Sequence, residues 1–150
     1  MTKIKEVRKL TEHKIDPNTL NGQTLAYLGD AVYEIYIRRH LIKGGIVKPQ
    51  YLQKEATHYV SAKAQAGLVT KMQDDEILTE EELTAFRRGR NAKSHTKAKN
   101  TSLATYQLST GFEAMIGYLD LLEDHKRVDE LALWCIKTVE DGGLKGYDFK

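Results

Sequence analysis

The sequence predicts an all-α fold. Three observations carry this expectation. The stretches between the prolines and the glycine pairs are rich in Ala, Leu, Glu, Lys and Gln, all good helix formers. Apolar residues recur at helical spacing within those stretches. No alternating strand pattern or hairpin turn interrupts them. The length of 150 residues suits one compact domain, with a core over about 14–140, a loose basic N-terminus and a loose tail.

The first long helix is expected from Asn21, a capping residue, to Lys43, before the stop at Gly44-Gly45. A second starts at Pro49, which suits a first helical turn, and runs to Met72. A third begins at Thr79, where Thr79-Glu80-Glu81-Glu82 has the capping-box pattern, and ends near Gly89. Arg90 to Ser102 lacks apolar periodicity and reads as a loop. A fourth helix spans Leu103 to Leu122 and a fifth Lys126 to Val139, closed by Gly142-Gly143. The tail Leu144 to Lys150 is expected to be loose.

Composition narrows the function classes. A net charge of +2 excludes a uniformly basic coat for nucleic acid, though not a local basic patch. The lone Cys135 excludes an internal disulfide. The start MTKIKEVRKL has no signal-peptide apolar core behind it, and no apolar run is long enough to span a bilayer. The expected location is the cytoplasm. The five histidines show no i,i+4 pair and no Cys partner, which argues against a zinc site.

Two carboxylates stand out. From Pro17 to Ile37 the only charges are Asp30 and Glu34, and from Asn100 to Leu119 the only charge is Glu113. The first helix reads as apolar on both faces and hence central, with Leu25, Leu28, Val32 and Ile35 as one stripe and Ala26, Tyr33 and Ile37 on the other side, close to Asp30. Asp30 would then lie in or near the core, needing a donor, a basic group or a metal as partner. Small residues flank both acids, Gly29 and Ala31 in one helix, Gly111 and Ala114 in the other. Helices crossing there would bring Asp30 and Glu113 together. Two close carboxylates share a proton or a cation, and a hard cation such as Mg²⁺ takes oxygen ligands. An ordinary solvated or salt-bridged role, with Arg38, Arg39 or a distant Lys as partner to Asp30, fits the spacing as well.

Charge is also segregated. Arg87 to Lys99, RRGRNAKSHTKAK, holds six Lys and Arg and no acid, whereas Asp74 to Glu82 holds six acids and no base. The basic stretch suits a phosphate backbone; on charge alone it equally suits a solvated loop.

LAYLGDAVY (25–33) resembles the signature of the ribonuclease III catalytic domain, and FEAMIG (112–117) resembles its second acidic segment. LAYLGDAVYE, YVSAKAQA, RRGRNAKS, KNT and STGFEAMIGYL, in this order, resemble the Mini-ribonuclease III family, a short bacterial form without the double-stranded-RNA-binding domain. The resemblance implies a homodimeric helical endonuclease that hydrolyses double-stranded RNA with Mg²⁺, leaving 5′-phosphate ends. The implied substrate is the 23S ribosomal RNA precursor. It implies Asp30 and Glu113 as metal and catalytic residues, and Arg88, Arg90, Asn91, Lys93, Ser94, Lys99 and Asn100 as RNA contacts. Two further acids of the longer enzymes are replaced here, by Ala26 and Thr110. Their loss keeps a rival in view, a non-catalytic helical RNA-binding or ribosome-associated protein on the same scaffold.

Overall fold

The computed structural model describes residues 14–93 and 100–150. A short 3₁₀ turn, Pro17–Thr19, precedes six α-helices: α1 Gly22–Lys43, α2 Pro49–Val60, α3 Ala62–Asp74, α4 Glu80–Arg90, α5 Leu103–Leu121 and α6 His125–Glu140. Among the described residues there is no strand.

Local chemistry sets most of the boundaries. The Asn21 side chain accepts from the Thr24 N–H at 2.8 Å and starts α1. Pro49 opens α2, where a missing N–H costs nothing. Thr79 and Glu82 form the reciprocal capping box of α4, at 3.1 and 3.0 Å. Ser102 and Asp124 cap α5 and α6.

One expected helix is two. Ser61 breaks the run from Pro49 to Met72 by taking an extended backbone, φ −61° and ψ 156°. Its hydroxyl accepts from the Ala64 N–H at 3.1 Å and caps α3, while its own N–H ends α2 on the Thr57 carbonyl. A serine hydroxyl competes with helical backbone bonding in this way. The tail expected to be loose is also packed. Tyr147 donates to Asp74 at 2.8 Å, and the Ser102 N–H bonds the Lys150 carbonyl at 2.7 Å. A Cβ on Gly67 of α3 would lie 3.2 Å from Leu144 and 3.3 Å from the Tyr147 carbonyl, so this segment lies directly over α3.

The helix α5 is the central element, packed against α1, α4 and α3. Gly111, Phe112 and the run Ala114–Leu119 are all buried. α1 and α5 cross backbone to backbone. A Cβ on Gly29 would fall 1.7 Å from the Glu113 carbonyl oxygen, and one on Gly117 would fall 1.9 Å from the Leu25 carbonyl oxygen. Beside this crossing the Tyr33 ring meets Phe112 edge-on at 4.9 Å, and the Tyr33 hydroxyl donates to the Tyr59 carbonyl at 3.0 Å.

The buried face of α1 is Leu25, Ala26, Gly29, Tyr33, Ile37 and Leu41. This corrects the expected stripe. Leu28 and Val32 are half-buried and Ile35 is 50% exposed, so α1 is not enclosed on both faces. Glycine 29 belongs to the contact because its missing side chain allows it, and a hydropathy pattern gives such a residue no weight.

The outer helix α6 is tied to the start of α4 by one ion pair. Arg127 donates to both Glu82 carboxylate oxygens, at 2.7 and 2.9 Å, and to the Ile77 carbonyl at 2.6 Å. Glu82 is only 2% exposed. Its burial alone would raise the carboxyl pKa, but Arg127 and Thr79 outweigh burial and hold it below the ordinary carboxylate range.

Gly29→Ala must force α1 and α5 apart and is expected to cost about 1–3 kcal/mol or more, read as a lower urea midpoint; an unchanged midpoint would refute the contact. Arg127→Met leaves a buried carboxylate unpaired and should cost roughly 3 kcal/mol at neutral pH. Because the Glu82 pKa is lowered on folding, the wild-type advantage is present above the ordinary carboxylate pKa and fades as pH falls through the lowered one. Paired denaturation curves from pH 7 downward measure that convergence.

Candidate active site

Asp30 follows Gly29 on α1, and Glu113 lies on α5 where its backbone meets Gly29. The crossing therefore brings the two acids together. Their carboxyl groups lie within hydrogen-bonding range of each other. Their environments differ. Asp30 is exposed, which corrects the expected core position, while Glu113 is half-buried beneath it. Asp30 sits one residue past the α1 contact face, so helix geometry turns it to the rim.

Glu113 is pushed up to about 9, chiefly by burial and then by the hydrogen bond and charge of Asp30. The Glu34 charge adds to the rise, and a hydrogen bond from Gln65 opposes it. Glu34 itself is paired with Arg38 of the next turn, Oε2 to Nε at 2.9 Å. Ala26 is buried and Thr110 donates its hydroxyl to the Tyr106 carbonyl at 3.0 Å, so neither position carries a charge into the site.

The donor chemistry suits a hard divalent cation: the available ligands are carboxyl oxygens, one group exposed and one half-buried. Among the described residues, no group of three or more His, Cys, Asp and Glu side chains is arranged to hold a metal. Two carboxylates are a donor set compatible with Mg²⁺, which keeps several waters and uses substrate phosphates as further ligands.

The basic segment begins at the C-terminus of α4. Arg88 is half-buried and donates to the Pro17 carbonyl at 3.3 Å. The Arg90 guanidinium lies 5.4 Å from the Phe86 ring centroid and donates to Asn91 Oδ1 at 3.2 Å. Asn91 ends α4, its N–H on the Arg87 carbonyl at 2.9 Å. Lys93 is exposed, and its carbonyl accepts from the Gln23 side chain of α1. Asn100 is exposed with φ +62°. Ser94 and Lys99 lie outside the described residues. Gln23 and Asp30 share one face of α1, about 10 Å apart at 1.5 Å per residue. The Gln23 contact thus anchors the start of the segment two turns from the acids.

Two polar residues of this region escaped the reading of the sequence. Gln65 carried a faint signal, a lone amide in the otherwise apolar stretch AQAGLV (64–69). Gln23 carried none, because its partner is a backbone carbonyl seventy residues away.

The Ribonuclease III domain model matches residues 23–123. The chain is 56% identical over 126 residues to a Mini-ribonuclease 3 of Streptococcus pneumoniae (strain ATCC BAA-255 / R6), covering 84% of this chain and 98% of that protein. It is 56% identical over 130 residues to a Mini-ribonuclease 3 of Enterococcus faecalis (strain ATCC 700802 / V583), covering 87% and 98%. A crystal structure of protein FN1578 from Fusobacterium nucleatum superposes with a TM-score of 0.71 at 30% identity, over 81% of this chain and 96% of that one. With the LGD and FEA segments of that domain joined at the α1–α5 crossing, the chain belongs to the ribonuclease III family, in its Mini-ribonuclease III branch.

Proposed function

We propose that the chain is a Mg²⁺-dependent endoribonuclease that cuts double-stranded RNA as a cytoplasmic homodimer, with the 23S ribosomal RNA precursor as substrate and 5′-phosphate products. Its family makes it an endoribonuclease. The observation that carries the finer reading is the Asp30–Glu113 pair, two acids juxtaposed at some cost to the fold.

When bound, Mg²⁺ supplies Lewis-acid stabilisation of charge on a phosphodiester and lowers the pKa of water. Asp30 and Glu113 are the residues that would hold it. The exposed Asp30 presents its charge to solvent, and Glu113 closes the site from below. Without a cation, Glu113 keeps its proton at neutral pH and donates it in the hydrogen bond to Asp30. That proton must leave before both groups can serve as ligands. Arg88, Arg90, Asn91, Lys93, Ser94, Lys99 and Asn100 are proposed to grip the RNA backbone. Their segment starts beside Gln23, on the same helix face as Asp30.

The homodimer is supported by the outward face of α1. Tyr27 is 86% exposed and Ile35 50%. The Tyr36 hydroxyl donates to Asp129 of α6, and Leu133, one turn further along α6, is 66% exposed. Apolar side chains so exposed beside an active site suit a partner surface. No helix among the described residues is long and apolar enough to cross a membrane.

A structured double-stranded RNA should be cut at discrete positions with Mg²⁺ and left intact in EDTA. Asp30→Asn and Glu113→Gln should reduce cleavage to background while still binding RNA. Metal-dependent cutting by a folded Asp30→Asn protein would refute the site, and binding without cutting by the wild type would favour the rival RNA-binding reading. In the same assay, Arg90→Gln and Lys93→Gln should each lower the slope of log affinity against log salt by about 1.

The metal-free protein carries a pH signature. Glu113 has a folded pKa raised above its unfolded value, so the folded state holds the extra proton between about 4.3 and about 9. Wild-type stability therefore falls as pH rises through that window. Glu113→Gln should melt several degrees higher than wild type near pH 8 in EDTA, with the gap closing toward pH 4.5. A gap independent of pH would disprove the coupling.

A further inference from the structure

Residues 64–69 of α3 form a buried run, Ala-Gln-Ala-Gly-Leu-Val. Gln65 is the one polar side chain in it and is 2% exposed. Burying an unpaired amide costs roughly 1–3 kcal/mol. Among the described residues no buried side-chain nitrogen or oxygen lacks a partner. α3 packs along α5, and the Gln65 side chain meets the Glu113 carboxyl there, acting on it as a hydrogen-bond donor. The contact favours the charged form of Glu113, as a donor does, so the Gln65 amide NH₂ faces the carboxyl.

This places Glu113 between two unlike neighbours. Asp30 reaches it from the solvent side and repels it whenever both are charged. Gln65 reaches it from the core, brings no charge, and offers a donor with direction. No other acid flanks it at the two positions now held by Ala26 and Thr110, and the Thr110 hydroxyl is committed to its own helix. A glutamate has three side-chain torsions to fix, and a donor held rigidly in the core fixes the last of them.

We propose that Gln65 is a positioning residue: its buried amide donates to Glu113 and aims that carboxylate toward Asp30 as a cation ligand. The inference rests on the assignment of Asp30 and Glu113 as the cation site. Groups that orient a metal ligand in this way typically change affinity or activity by about 10–100-fold when removed.

Gln65→Met keeps length and volume and removes the donor. Its cation affinity is read from the rise in melting temperature with increasing Mg²⁺, and its cleavage from the rate at each Mg²⁺ concentration. The expected result is a metal-free melting temperature close to wild type, half-maximal Mg²⁺ for both readouts raised about 10–100-fold, and RNA affinity in EDTA unchanged. A residue needed for packing alone would lower the melting temperature and leave the Mg²⁺ midpoint where it was. Wild-type Mg²⁺ midpoints in Gln65→Met overturn the inference.

Should Gln65→Met fail to fold, the wild-type protein decides. The assigned Gln65 side-chain amide resonances should move on Mg²⁺ addition in wild type and stay still in Asp30→Asn. Amide resonances unmoved by saturating Mg²⁺, while Asp30 signals shift, overturn the inference. If the wild type neither binds Mg²⁺ nor cuts RNA, the site assignment fails and Gln65 fails with it. If the wild type does both and Gln65→Met matches it, the Gln65 role alone is wrong.

Discussion

The contact between the backbones of α1 and α5 is the constraint on which the rest of the structure depends. Helices usually pack with axes 8–10 Å apart because side chains stand between them. At Gly29 and Gly117 nothing does, and a carbonyl of each helix occupies the space that a Cβ would need. The contact sets the register of α1 on α5, and the register sets which residues lie at the rim. Asp30 and Glu113 meet because they adjoin this contact. Burying Glu113 beside a second acid is a cost that the packed core, Tyr33, Phe112 and Met115 among it, must offset. An unfavourable local arrangement maintained by a well-packed scaffold is typical of a functional site.

How much of this was legible depended on the range of the signal. The capped helices α1 and α4 were readable because Asn21 and the Thr79–Glu82 box act within four residues, and α5 because apolar periodicity resumes at Leu103. The joining of Asp30 and Glu113 was readable as a conditional, since isolated acids beside small residues suggested a crossing. Of the two apolar faces read for α1, that of Ala26, Tyr33 and Ile37 is buried while Leu28, Val32 and Ile35 are not enclosed, because a hydropathy pattern gives Gly29 no weight in choosing between them. Ser61 was passed over because a serine inside a helical run is an ordinary event, and only its extended backbone reveals the break. The tail was misjudged because its anchors, Asp74 and Ser102, are distant in sequence.

The break at Ser61 also bears on the site. A continuous helix from Pro49 to Asp74 would fix the direction of its second half by that of its first. With the break, α2 packs on α1, whereas α3 runs against α5. Gln65, the fourth residue of α3, comes to Glu113 by that change of direction. Three helices thus contribute one side chain each to a polar cluster, and the Arg127–Glu82 pair holds α6 to α4.

The two tethers that flank the basic segment have a thermodynamic consequence. One is the Gln23 amide on the Lys93 carbonyl; the other is the Ser102 N–H on the Lys150 carbonyl, just before α5. Bringing the ends of a chain segment together costs entropy that grows with its length. Here that closure is completed when the protein folds. The positions of the segment's two ends are therefore set by the fold itself.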